Sequence, residues 1–344
     1  MSQPARASIH DVARVAGVSL ATVDRVLHGR GGVHARTVAH VRAVVEQLGY
    51  RPDPAARRLA RKREARLVFV LPSGTNTFVD MLDAQVQAVQ PWLHEQRAAA
   101  VVQRVDVFSA EALARHLGTL PGRFDAVVVM ALDHPLVRAA IDDLVAQGVV
   151  VLTLVSDVPS SQRSRFVGID NVSAGRTAAS LLGRFAGPQP GRVGIVMGSR
   201  ALRDHAERLF GFEQVLAAEY PTLRPLPPIE GHDLSERTEP LVTALLEAEP
   251  GLVGLYSIGA GNRGIEAALE RSGRAGRIVW VCHELTPHAR RALLGGVADA
   301  VINQDAGHEV RSSCRLALAA LSGERVLPDQ ERIRIDIFLR DNLP

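Results

Sequence analysis

From residue 66 almost to the C-terminus, short apolar runs alternate with amphipathic stretches of helical period, and this alternation limits the fold more than any other feature of the chain. Residues 67–71 form a near-continuous apolar run, as expected of a parallel strand buried on both faces. The spacing then predicts helix 79–97, strand 100–107, helix 109–120, strand 125–130, helix 136–147 and strand 149–154. A second series follows: strand 166–169, helix 172–186, strand 192–197, helices 203–219 and 235–249, strand 252–257, helix 261–272 and strand 277–282. It ends with helix 287–294, strand 299–303, helix 306–321 and strand 332–338. Repeated β-α units give parallel sheets with helices on both faces. About 280 residues are too many for one such sheet, so two lobes are expected.

In open parallel sheets, ligands sit beyond the carboxyl ends of the strands. The residues found there are unusually polar. Asn76 and Phe78 follow the first strand, Asp157 follows Leu154, and Asp170 and Asn171 follow Ile169. Arg208 lies on the helix after Met197. Gly259, Gly261 and Asn262 follow Tyr256, His283 and Glu284 follow Val281, and Asn303 and Gln304 follow Ile302. Carboxylates, amides and a guanidinium beside an aromatic ring suit a polyhydroxylated ligand, because each hydroxyl both donates and accepts. Plainer roles exist for several of them. Asp170-Asn171 can cap the next helix, the glycines can serve a turn, and His283 can be a satisfied loop histidine. Arg208 can be a surface charge, but Leu209, Phe210 and Phe212 around it anchor its helix.

The charge is unevenly spread. The net charge is +3, yet residues 1–66 hold 13 basic and 5 acidic side chains, against 27 and 32 in the remainder. A basic excess confined to one end is an electrostatic footprint for phosphates. The same end carries a helix-turn-helix pattern. Ser8 can cap a helix with Asp11 three residues on, and Ile9, Val12, Ala13 and Ala16 repeat at helical spacing. Gly17 breaks that helix, because it takes a positive φ without penalty. Ser19 is a second N-cap. On the helix that follows, Val23, Val26 and Leu27 share one face, while Ala21, Asp24, Arg25 and His28 share the other, flanked by Leu20 and Thr22. Arg25 is the strongest candidate for reading a base, since a guanidinium bonds bidentately to guanine. Leu20 and Ala21 offer apolar contacts only. A third helix has Val38, Val41, Val45 and Leu48 as its stripe and stops at Gly49. Beyond it, Asp53 and Pro54 can start a short helix reaching about Arg61, which is stable only against a partner. Its apolar face is Ala55, Ala56 and Leu59, and a leucine so placed can wedge between base steps in a minor groove.

Asp11-Val12-Ala13, Ala16-Gly17-Val18-Ser19, Thr22-Val23 with Arg25-Val26-Leu27, Leu48-Gly49-Tyr50 with Pro52, and Ala56 with Leu59-Ala60 together resemble the lactose-repressor (LacI/GalR) family of bacterial transcription regulators. The resemblance implies a DNA-binding headpiece over 1–52, a hinge helix and linker over 53–65, and an effector-binding and dimerisation domain over 66–344. That last domain is expected to be periplasmic-binding-protein-like. Its N-lobe would be about 66–165 and 305–325, and its C-lobe about 166–304 and 326–344. Leu20, Ala21 and Arg25 occupy the family's base-reading positions, with Ser19, Thr22 and His28 beside them. Leu59, with Ala56, occupies the position of the intercalating leucine. Asn76, Phe78, Arg208, Asn262, Glu284 and Gln304 fall where the family places ligand contacts, and Asp157 and His283 join them from the strand-end reading above. Asp24, His28, His34 and Asp53 depart from the family's common residues.

The implied function is a cytoplasmic regulator of the repressor kind, a homodimer on a near-palindromic operator, controlled by a sugar, sugar alcohol or sugar acid. No cofactor, metal or membrane partner is expected. The only cysteines are Cys282 and Cys314, which excludes a disulfide scaffold and a cysteine-rich zinc site. The first 30 residues carry Arg6, Asp11, Arg14, Asp24 and Arg25 with no apolar block between them, so no secretory leader is expected, which argues against a secreted sugar carrier. The best hint of an enzyme is Gly259-Ala260-Gly261-Asn262-Arg263-Gly264, a G-x-G-x-x-G after a strand. It lies late in the chain, and residues 277–281 lack the acidic partner a dinucleotide site needs.

Overall fold

The computed structural model describes residues 7–27, 31–50, 64–74, 76–259, 261–327 and 329–344. The chain divides into two compact units, Met1–Arg63 and Glu64–Pro344.

In the first unit, α1 (Ile9–Ala16), α2 (Leu20–Leu27) and α3 (Ala35–Gln47) pack around Val12, Val23, Val26, Val41 and Val44. Ser8 and Asp11 form a reciprocal capping box, and Gly17 closes α1 at φ +63°. In α3 the buried positions are Val41 and Val44, with Val38, Val45 and Leu48 only partly covered. The stripe is therefore centred one residue off the expected one.

The second unit opens with β1 (Ala65–Pro72), α4 (Thr77–Ala88), α5 (Gln90–Glu95), β2 (Ala98–Val105), α6 (Ala110–Leu117) and β3 (Ala126–Val129). Then come α7 (Pro135–Ala146), β4 (Val150–Leu154), β5 (Arg165–Val167), α8 (Asn171–Ala186), β6 (Gly191–Met197), α9 (Arg203–Glu219), β7 (Leu223–Pro225) and β8 (Ile229–Glu230). The remainder is α10 (Ser235–Ala248), β9 (Leu252–Ser257), α11 (Asn262–Arg271), β10 (Val279–His283), α12 (Pro287–Leu294), β11 (Ala300–Asn303), α13 (Ala306–Ser322) and β12 (Asp336–Phe338).

Two sheets result. The first has order β2-β1-β3-β4-β5, all parallel, and the second has order β12-β11-β10-β9-β6-β7, with β8 on β6. Among the described residues only β12 runs antiparallel, against β11. β1, β3 and β4 are buried along nearly their whole length, as their apolar runs require. Helix α13 returns to pack on α4, β1, β3, β4 and β5 of the first sheet.

Four details differ from the sequence reading. The helix expected over 79–97 is two helices, because Pro91 at the start of α5 cannot continue the hydrogen bonding of α4. The strand expected to open the second series is β5, which pairs with β4 in the first sheet. β7 and β8 are additional short strands in a proline-rich stretch without strand periodicity. The last strand is three residues long.

α8 and α9 pack in unusually close contact because glycine stands at both crossing points. A Cβ on Gly175 would lie 1.9 Å from the Arg208 carbonyl oxygen, and one on Gly211 would lie 2.1 Å from that of Val172. Gly175→Ala is expected to push the two helices apart at a cost of about 1–3 kcal/mol. A lower urea midpoint would show this, and an unchanged midpoint would mean that the crossing yields freely.

Candidate functional site

In the first unit the turn places α2 so that Val23 and Val26 are buried while Leu20, Ala21 and Arg25 are exposed. Ser19 accepts from the Thr22 amide at 3.2 Å, and their hydroxyls lie 2.9 Å apart, which fixes the start of the helix. The apolar face is held by the bundle, and the face carrying Arg25 is free to meet a major groove. His28, Ala56 and Leu59 lie outside the described residues.

In the second unit the carboxyl ends of the two sheets line a cavity of about 260 Å³. Its walls include Asn76 and Phe78 from the first sheet and Asp233, Asn262, His283 and Glu284 from the second. Asn76 caps α4 by accepting from the Phe78 amide at 3.0 Å, and its Nδ2 donates to Asp233 Oδ2 at 3.4 Å across the cleft. Arg263 reaches Thr77 Oγ1 at 3.4 Å, and Arg203 bonds Asp133 at 3.0 Å. These three contacts bridge the lobes.

Behind Glu284 in the cavity wall packs α9. Its buried face is polar at one end, with Asp204, His205 and Arg208, and apolar further on, with Phe212, Val215 and Leu216. Phe212 stacks on Tyr256 at 4.4 Å between centroids, and the Tyr256 hydroxyl lies 2.9 Å from His283 Nε2. Arg208 is 2% exposed. Its Nε donates to Asn171 Oδ1 at 2.8 Å and its Nη1 to the Ile258 carbonyl at 2.9 Å. Nη2 points towards Glu284, 3.9 Å away, and has no hydrogen-bond partner among the described residues. Gln304 Nε2 donates to Glu284 Oε1 at 2.8 Å. Glu284 sits at φ +69°, a left-handed conformation that costs a residue with a side chain about 1–3 kcal/mol and clusters at ligand sites. The amide of Leu285 donates to Asn303 Oδ1 at 3.0 Å, which steadies that turn.

Burial governs the ionisation of these groups. It pushes the Glu284 carboxyl up to about 7, despite the opposing pull of Arg208 and the Gln304 bond. Burial, with the Glu284 charge nearby, pushes Glu309 well above the usual carboxylate range. His283 is held well below the usual imidazole value by burial, by Arg208 and by His205.

Most of the sequence candidates converge here, but in different roles. Asn76, Phe78, His283 and Glu284 line the cavity, with Gln304 bonded behind Glu284. Asn262 also lines it, yet both ends of its amide are engaged. Its Oδ1 accepts from Ser257 at 2.6 Å, and its Nδ2 donates to the His283 carbonyl at 3.1 Å. Asp170 caps α8 while its neighbour Asn171 holds Arg208. Asp157 does not join the group. Its two oxygens grip Arg163 at 2.5 and 2.6 Å, and Oδ1 also accepts from Thr153, tying down the loop after β4. Asp204, His205, Asp233 and Glu309 were not anticipated. The signal for Glu309 was an acid followed at helical spacing by Ser312 and Ser313 on a face rich in apolar residues.

A helix-turn-helix followed in the chain by two parallel sheets that share one polar cleft defines a DNA-binding head joined to a bilobal small-ligand domain. Residues 55–325 match the family described as periplasmic binding protein domain, and residues 8–53 match bacterial regulatory proteins, lacI family. The chain belongs to the periplasmic binding protein family and carries a lacI-family DNA-binding domain at its head. Catabolite control protein A of Streptococcus mutans is 43% identical over 75 residues, 22% of this chain and 22% of that protein. The match thus spans about a fifth of that relative's length. An ABC transporter solute-binding protein from Burkholderia graminis, in complex with D-arabinose, superposes with a TM-score of 0.75 at 20% identity, over 82% of this chain and 98% of that one. A glucose-galactose binding protein from Geobacillus stearothermophilus gives 0.73 at 19%, over 82% and 100%. Both likenesses establish the fold.

Proposed function

We propose that this protein is a cytoplasmic transcription regulator, not an enzyme, that binds a near-palindromic operator as a homodimer and is switched by a small polyhydroxylated effector in the interlobe cleft. The observation that carries this reading is the buried polar cluster. Asp204, Arg208, His283, Glu284, Gln304 and Glu309 each keep at least one buried polar atom without a protein partner among the described residues. Such atoms are costly unless a ligand or water meets them. The sugars bound by the two structural neighbours, and the lacI-family head, support the same reading.

The glycines that suggested an enzyme have packing roles. A Cβ on Gly264 would lie 2.3 Å from the Ser235 carbonyl oxygen, so this glycine lets α11 approach α10. Gly259 and Gly261 make room for His205 and Thr238. None of the three needs a phosphate to explain it, which supports the regulatory reading.

A gel shift with DNA from upstream of the gene, repeated with sugars and polyols selected by thermal shift, tests the proposal. A ligand at 100 times its Kd should stabilise the folded protein by about 2.7 kcal/mol. A specific shift altered by that ligand is expected, and an absence of DNA binding at low salt would refute the proposal. Light scattering should report a dimer. Arg25→Ala is expected to cost about 1–3 kcal/mol on the operator and much less on random DNA. Equal losses on both would reduce Arg25 to a phosphate contact.

A further inference from the structure

The turn between β8 and α10 is strained and faces the opposite lobe. His232 and Asp233 follow one another there at φ +53° and +59°, in the left-handed region that side chains rarely adopt. Among the described residues they are the only adjacent non-glycine pair to do so. Such a conformation persists only where the surroundings hold it. The second lobe holds it from one side. The amides of Gly231 and His232 donate to the carbonyls of Met197 and Gly198 at 2.8 and 3.0 Å, at the end of β6. The Asp233 carboxylate is seated against bare backbone: a Cβ on Gly198 would lie 2.5 Å from its Oδ1, and one on Gly259 2.9 Å.

The other side of the turn meets the first lobe. The His232 ring lies against that of Phe108, just beyond β2, with centroids 5.8 Å apart and 34° between the planes. Asp233 Oδ2 accepts from Asn76 Nδ2, just beyond β1. The Asn76 amide is oriented from behind, because its Oδ1 accepts from the Phe78 amide in the cap of α4, which leaves Nδ2 to face the turn. The gap left between the turn and the wall carrying Phe108 is about 20 Å³, room for about one water, so the two surfaces are packed together. Both contacts run directly between protein groups and need no ligand to form. Arg203–Asp133, by comparison, is a half-exposed rim pair shared with Glu207, which adds little.

We propose that the His232-Asp233 turn is a latch that holds the two lobes together across the mouth of the cleft without help from a ligand. Asn76 and Asp233 both line the cavity, so the latch closes beside the place read above as the effector site. A ligand then enters only when the latch opens, and the fraction of open molecules scales its apparent affinity. The hold between the lobes concerns the protein alone; its meaning for the effector rests on the reading above.

Hydrogen exchange of the full chain, with no sugar added, tests the latch through one substitution in each lobe. Asn76→Asp keeps a cap for α4 and turns the donor facing Asp233 into a second carboxylate oxygen. His232→Gly removes the ring and relieves the left-handed backbone. A purely local disturbance would alter exchange in the substituted lobe only, so the decisive amides are those of the opposite lobe. Asn76→Asp should speed exchange at Gly231, His232 and Leu234 at least about threefold, and His232→Gly should do the same at Phe78 and Phe108, while the amides of β3 and β9 exchange as in the wild type. Acceleration in the substituted lobe alone, or in neither lobe, overturns the latch. Acceleration that extends equally to β3 and β9 is a general loosening and overturns it as well. The gel shift with sugars and polyols decides the effector reading separately, so a failure of one is told from a failure of the other.

Discussion

Arg208→Ala is expected to abolish the response to effector and to lower stability by about 3–5 kcal/mol, the cost of removing one partner from a buried ion pair. Three neighbours lose their partner together. Asn171 Oδ1 and the Ile258 carbonyl lose hydrogen bonds of 2.8 and 2.9 Å, and Glu284 loses the positive charge 3.9 Å away. The guanidinium is 2% exposed, so little water can reach these groups. Ligand binding is expected to fail because Glu284, which lines the cavity, loses the guanidinium packed behind it. Arg208→Lys restores charge but cannot donate to Asn171 and Ile258 in the same fork, so it should recover part of the stability and little of the response. Urea unfolding and the effector-dependent gel shift read the two effects separately. An Arg208→Ala protein that still responds normally to effector would remove this cleft from the mechanism.

The second large effect concerns pH. The Glu284 carboxyl is pushed up from 4.5 to about 7 by burial. Between these two values the folded protein holds a proton that the unfolded chain has released, so stability falls as pH rises through the interval. At 1.36 kcal/mol per unit the loss amounts to about 3 kcal/mol, complete above pH 7 and absent below 4.5. Glu309 acts in the same direction. His283 acts in the opposite one, since an imidazole held neutral by burial loses stability for the fold as pH falls below its ordinary value. The difference between wild type and Glu284→Gln isolates the carboxyl. That difference should grow in favour of the variant from pH 4.5 to 7 in urea titrations, and a pH-independent difference would show that Glu284 is ionised throughout.

Much of the molecule was legible because its signals are local. The capping box of Ser8 and Asp11 and the left-handed Gly17 depend on residues within one turn of one another. The parallel strands were readable because burial on both faces demands unbroken apolar runs, as in β3. Errors occurred where a single residue overrides a period, as Pro91 does in the helix expected over 79–97. They also occurred where pairing is decided at a distance, as for β5. Among the site residues, those just after a strand were found because topology puts ligands there. Asp157 obeys the same rule yet is gripped by Arg163, a partner that strand-end position alone does not reveal.

The sequence by itself determined the helix-turn-helix, the two series of β-α units and the polar character of the strand ends. These follow from caps, glycine conformations and hydrophobic periods, which act over a few residues. Only the tertiary structure decided which polar groups end up buried together. Asp204, Arg208 and Glu284 belong to the second sheet and its helices, whereas Glu309 arrives on α13, which packs against the first. Burial and charge coupling act through space, so a cluster assembled from elements about 100 residues apart, with its shifted carboxyls and unmatched oxygens, exists only once the chain has crossed between the lobes.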